Sequence, residues 1–263
     1  MPAVRWEVIR QEAQRLATLA GTPPAFAAGW EALVERYADR NYRRGQDVPP
    51  PRLPMRRLPP AVLSAVWQTL RGHLLLRPEF VLPLADHLWP RGDWESRLLA
   101  ARLLGLAPVT PPQPVFQRLM AWLQVTSDPP LLDALLQEGT ARLLEEAPAA
   151  YLDAVQAALR EPRQSVYGLQ LLQPALEKPT FHNAPRVFNA LEPLLTPPEK
   201  GHRPYLAAAL RVLARRWPQE TAPFLRSLWL AHPSAELAWL IRRALPHFPA
   251  AQRQRLRDVL DEG

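Results

Sequence analysis

The chain has 263 residues, 48% of them hydrophobic and 22% charged, enough for a large buried core, and every apolar run is cut by Arg or Pro well short of a membrane span. Cysteine is absent, which excludes a disulfide framework and any thiolate-held zinc or iron–sulfur site. The net charge is +7, and all but Lys178 and Lys200 of the 32 basic residues are Arg, the side chain that grips phosphates and carboxylates through paired hydrogen bonds.

The opening MPAVRWEVIRQEAQRLATLAG is charged throughout and lacks an apolar h-region, so no secretory signal is expected and the protein reads as cytoplasmic. Stops at Pro and Gly predict about fourteen helices, at 2–20, 24–44, 59–76, 78–89, 93–106, 112–125, 129–146, 148–160, 163–177, 181–195, 203–217, 219–231, 234–247 and 249–262. Asp93 opens DWESRLLAARLL and stands four residues before Arg97, the favourable order for an exposed pair. Asp128 is placed to cap the next-but-one helix, with Pro129 at its first position, where a missing N–H costs nothing. In HRPYLAAALRVLARRW the apolar residues Leu206, Ala209, Leu210, Leu213 and Trp217 fall on one helical stripe. SAELAWLIRRALPHF repeats it with Leu237, Leu240, Ile241, Ala244, Leu245 and Phe248. No run of β-branched residues alternates with period two. One segment, QDVPPPRLPMRRLPP at 46–60, is too Pro-rich for a helix and reads as an extended connector loop.

The helices come in pairs, and the pairs recur. The endings LLGLAP, LLEEAP, ALEKP, LARRWP and ALPHFP close on Pro108, Pro148, Pro179, Pro218 and Pro249, at intervals of 31 to 40 residues. A degenerate helix-pair repeat of this period predicts an all-α fold. Its expected form is a HEAT-like α-solenoid of about seven pairs, curved into a right-handed superhelix and forming one domain over 1–263. An ordinary helical bundle with short loops is the alternative.

Charge is distributed unevenly. Residues 40–77 hold eight Arg against Asp47 alone, and residues 203–257 hold ten Arg against Glu220 and Glu236. Two basic blocks toward opposite ends of a curved solenoid would flank a concave surface suited to a polyanion backbone, and solvated helix faces with no partner are the plainer account. The middle is acidic, with seven Asp or Glu against Arg142 and Arg160 over 128–161.

Motifs for phosphate loops, dinucleotide folds, nucleophile elbows and zinc proteases are all missing, so no cofactor is expected. None of the six His has a partner at a metal-ligand spacing, so no metal site is expected and each reads as a surface or cap residue. Trp67, Trp94, Trp122, Trp217 and Trp239 fall on apolar stripes and read as core, while Trp30 and Tyr42 lie near the first Arg block and could stack on a base or sugar.

HLWPRGDWESRLLAARLL, 87–104, resembles the signature of the AlkD-like DNA alkylation-repair glycosylases, a HEAT-like repeat family, through Leu88, Trp89, Glu95 and Arg97. LPMRRLPPAVLSAVWQTL is similar to that family's basic turn before a helix, and FQRLMAWLQVTSDPPLLDALL falls where the family places its active-site helix. The resemblance implies a DNA-facing concave surface and sets Asp133 on the catalytic aspartate position, where a carboxylate stabilises the positive charge that builds on deoxyribose as an alkylated purine leaves. The family's Trp-rich stretch before that aspartate is replaced here by Asp128, Pro129, Pro130 and Leu131, so the aspartate is matched and its partners are not. The expected function is therefore duplex DNA binding through Arg43, Arg44, Arg56, Arg57, Arg211 and Arg215, with Asp133 as the candidate catalytic residue. A protein–protein scaffold without enzymatic activity is the alternative, and an RNA-binding repeat protein a third.

Overall fold

Proline sets where many of these helices begin. In the computed structural model, which describes residues 6–38 and 52–261, Pro occupies one of the first two helical positions again and again, where its fixed φ suits the helix and its missing N–H is one the helix would leave unused. Most of the described residues are helical, with no strand among them. No described helix is long and apolar enough to cross a membrane.

The chain divides into two compact units, residues 1–148 and 149–263. The first contains α1 (Trp6–Thr18), α2 (Pro23–Tyr37), α3 (Pro60–Leu75), α4 (Val81–Leu88), α5 (Trp94–Leu104), α6 (Gln113–Val125), α7 (Pro129–Asp133) and α8 (Ala141–Glu146). In it α1 packs on α3, α2 on α4, and α4 on α5. The second contains α9 (Pro148–Arg160), α10 (Ser165–Glu177), α11 (Ala184–Leu195), α12 (Arg203–Arg216), α13 (Pro218–Ala231), α14 (Ala235–Ala244) and α15 (Ala250–Asp261). Here every second helix is a neighbour: α10, α12 and α14 pack in succession, as do α11, α13 and α15.

The stripes read from the sequence are the buried faces. Leu206, Ala209, Leu210 and Leu213 are buried on α12, and Leu237, Leu240, Ile241 and Ala244 on α14. Trp239 stands between those positions and is not on their face. It is 41% exposed, with the Arg243 guanidinium 5.4 Å from its ring centroid, which corrects its reading as core. Trp30 departs in the opposite sense. It is buried, and its Nε1 donates to Ser96 Oγ at 3.0 Å, so it is core and unavailable to stack on a base. Tyr42 lies outside the described residues.

The helix expected over 129–146 is broken. After α7 the backbone widens into a π turn, Ala134–Glu138, closed by Gly139 N donating to Ala134 O at 2.9 Å. The widened turn carries the Glu138 carbonyl against α5, where a Cβ on Gly105 would lie 2.0 Å from that oxygen. Only glycine admits this approach. Arg102 then closes the contact with its Nε 2.9 Å from Glu138 Oε2.

The N-terminus of α5 holds the connector. Asp93 caps the helix by accepting from Ser96 N at 2.9 Å, as expected, whereas Arg97 turns away from Asp93 and lies 5.0 Å from the Trp89 ring. The next residue, Glu95, is fully buried, and its two oxygens accept from Arg56 N at 3.1 Å and Leu58 N at 3.2 Å. Trp94 N donates to Pro54 O at 2.9 Å. Between the two gripped N–H groups, Arg57 adopts a left-handed backbone, φ 62°, a conformation that costs a non-glycine residue on the order of 1–2 kcal/mol. Removing the carboxylate leaves both donors without their acceptor. Glu95→Ala is expected to lower unfolding free energy by roughly 2–4 kcal/mol in urea denaturation, with Glu95→Gln losing less because one acceptor oxygen remains.

Candidate nucleic-acid interface

The residues singled out for DNA fall into separate situations. Arg43 and Arg44 lie outside the described residues. Arg56 is occupied: its Nη1 donates to Glu35 Oε2 at 2.6 Å, and Glu31, which also receives Arg91 at 2.7 Å, stands 3.8 Å from its other nitrogen. Arg57 is exposed on the strained turn beside it.

Arg211 and Arg215 are built differently. They sit one turn apart on α12, off the flank of the buried Leu210–Leu213 stripe, and both are exposed. No carboxylate among the described residues pairs with either. Their charges are felt by His247, on the 3-10 turn Leu245–His247 that packs against α12. Burial first, and then the positive charges of Arg215 and Arg211, hold its imidazole below the ordinary histidine value of 6.5.

Counting Arg in the sequence overstates the free charge of this block. Arg216 is a structural cation. Its guanidinium, 4.3 Å over the Trp217 ring, donates to the carbonyls of Leu176, Lys178 (2.6 Å), Pro179 (3.1 Å) and Phe181 (3.0 Å), and so closes the C-terminal end of α10. Arg203 pairs with Glu236 at 3.1 Å, and Arg253 donates to Phe248 O at 2.9 Å. The sequence marks none of these three as different from Arg211 or Arg215, because their carbonyl and carboxylate partners come from other helices or turns.

Asp133 is the exposed last residue of α7, and its carboxylate has no hydrogen bond or ion pair among the described residues. The buried acid nearby is Asp128. It accepts from Leu131 N at 3.3 Å as the expected cap, and also from Trp94 Nε1 at 3.1 Å and Arg52 N at 3.2 Å. The connector that displays Arg57 is thus fastened to the start of the helix that carries Asp133. The four residues of the 87–104 signature are packed into the first unit. Leu88 is buried, Glu95 grips the connector, and Trp89 stacks on Trp122 at 4.3 Å between ring centroids with Arg97 over it.

A second cluster has the outline of a nucleophilic triad and none of its access. Ser165 Oγ lies 2.8 Å from His202 Nε2, and Glu199 is 3.8 Å from the other ring nitrogen. Ser165 is 1% exposed and its hydroxyl is within 2.9 Å of the Pro162 carbonyl, so a substrate has no path to it and the hydroxyl proton has a structural acceptor. His202 is therefore buried, unlike the surface or cap position expected of it. Among the described residues no group of three or more His, Asp or Glu side chains is placed to hold a metal ion.

Comparison with family models, with curated proteins and with solved structures finds no match to this chain.

The depressed His247 gives a signed pH effect. The unfolded chain binds its proton more readily than the folded one, so stability is expected to fall as pH drops below 6.5 toward the depressed value. Chemical denaturation of wild type and His247→Gln across pH 5 to 8 checks this, and the variant should lose that part of the slope.

Proposed function

We propose that this protein is a HEAT-like helical repeat protein that binds duplex DNA, with Arg211 and Arg215 on α12 as its principal phosphate contacts and Arg57 as a further one. The observation that carries the reading is a pair of exposed guanidinium groups one helical turn apart on α12, without carboxylate partners among the described residues. Unneutralised cations at that density are stabilised by a polyanion, and displacement of counterions from the duplex supplies the driving force. The alternate-helix packing of the second unit supports the repeat architecture, since stacking one helix pair on the next produces that pattern. Arg43 and Arg44, which lie outside the described residues, join the interface on this reading.

A second reading, a scaffold for a protein partner, draws on Leu75 and Leu76 at the end of α3, 51% and 80% exposed. One titration separates the two. Duplex affinity measured by electrophoretic shift at several salt concentrations is expected to fall steeply with salt, and Arg211→Ala with Arg215→Ala to lower the slope of log K against log salt by about 2. Affinity that ignores salt, or a double variant indistinguishable from wild type, would favour the scaffold.

The proposal extends to binding and stops before base excision. The only member of the implied catalytic cluster present is Asp133, which stands exposed and unsupported by any neighbouring donor among the described residues. Asp133→Asn is expected to leave release of N7- or N3-alkylpurine from duplex DNA at the wild-type level. A tenfold or greater drop would assign Asp133 the electrostatic role that the resemblance implies.

A further inference from the structure

The second unit contains a groove of about 400 Å³ between α13 and α15, within the range of small-molecule sites, and neither Arg211 nor Arg215 lines it. Its lining divides by chemistry. Ala222, Leu256 and Val259 supply an apolar surface. Arg226 and Arg255 are exposed at it, and neither has a carboxylate partner among the described residues. Asp258 also lines it, with Oδ1 already accepting from Gln254 Nε2 at 2.7 Å and the other oxygen open to a donor.

Two further features mark the groove as more than a gap between helices. Gln252 is 7% exposed, and its buried Oε1 has no hydrogen-bond partner. An unpartnered buried amide oxygen costs on the order of 1–3 kcal/mol, and nothing within the fold holds the amide in that orientation, so a half-turn exchanges which of its groups faces the groove. Pro223, inside α13, supplies no N–H, which leaves the Gln219 carbonyl without the donor a regular helix would provide four residues on. Both Gln219 and Pro223 line the groove. The site thus offers an anion-binding pair, one carboxylate, an adaptable amide, a freed carbonyl and an apolar floor.

We propose that this groove binds a nucleoside monophosphate. Arg226 and Arg255 take the phosphate, and a charged pair at a groove mouth favours a dianion over a single carboxylate. Asp258 would repel a second anionic group and instead accepts from a ribose hydroxyl. The base lies on the apolar floor, where Gln252 and the Gln219 carbonyl meet its donor and acceptor edge. A plain polyanion patch would use the two arginines alone; the acid, the amide and the apolar surface have a use only if the ligand carries a sugar and a base. The inference does not rest on the duplex-binding reading, because it uses neither Arg211 nor Arg215.

The test is calorimetric titration of the full-length chain with adenosine 5′-monophosphate, adenosine and inorganic phosphate. The monophosphate is expected to bind saturably, at least tenfold tighter than either fragment. Arg226→Ala with Arg255→Ala, both at exposed positions and so neutral to folding, should weaken it at least tenfold. Arg211→Ala with Arg215→Ala should leave it unchanged, which separates this site from the duplex interface. Displacement of the nucleotide by a 5′-phosphorylated oligonucleotide, but not by its 5′-hydroxyl form, would identify the ligand as a strand end; failure of both to displace it would identify a free nucleotide. Binding no tighter than inorganic phosphate, or unaffected by loss of the two arginines, overturns the proposal.

Discussion

A carboxylate with no exposed surface organises the first unit. Burying Glu95 without donors would be prohibitive, and its two oxygens find them on the backbone of a segment where donors are scarce. In LPMRRLPP the prolines have no N–H to give, so the amides of Arg56 and Leu58 are among the few available, and the carboxylate spans the residue between them. That span forces Arg57 into its left-handed turn and turns its side chain to solvent. Asp128 repeats the arrangement on a smaller scale, tying Arg52 and the Trp94 indole to the start of α7. Two buried acids thus fasten the described part of a Pro-rich connector, and Pro stiffness reduces the entropy lost in holding it.

The second unit shows how one residue type serves two purposes. Arg216 lies over an aromatic ring and spends its donors on the carbonyls that end α10, and Arg203 and Arg253 are likewise tied to neighbours. Arg211 and Arg215, on the same helix as Arg216, have no such partner among the described residues and face solvent. On the reading proposed here, the first group builds the helical framework and the second meets phosphate. Guanidinium suits both tasks, because it stays charged when partly buried and its planar donors match carbonyls and phosphates alike.

Local chemistry made most helices legible in the sequence. Pro at helix starts, Asp caps at 93 and 128, and the apolar stripes of α12 and α14 all depend on residues within one or two turns of each other. What the sequence concealed depends on contacts across many residues. The π turn at 134–138 is matched to Gly105 some thirty residues earlier, and Trp30 is core because Ser96 waits for its indole N–H. The candidate site was legible as charge and illegible as availability. Arg56 and Arg211 look alike in the sequence, and only the fold shows that two glutamates flank the first. Trp239 was misread because it is apolar and near a stripe, although the spacing of Leu237, Leu240 and Ile241 already leaves it off that face.

The most direct test of the central claim is a map of where DNA touches the protein, by amide hydrogen exchange of the chain with and without a short duplex. Contact through Arg211 and Arg215 predicts protection concentrated on α12 and the adjoining 245–247 turn, with the exposed turn at Arg57 as a weaker second region. Protection confined to other helices, or none at duplex concentrations that saturate the shift, would contradict the account.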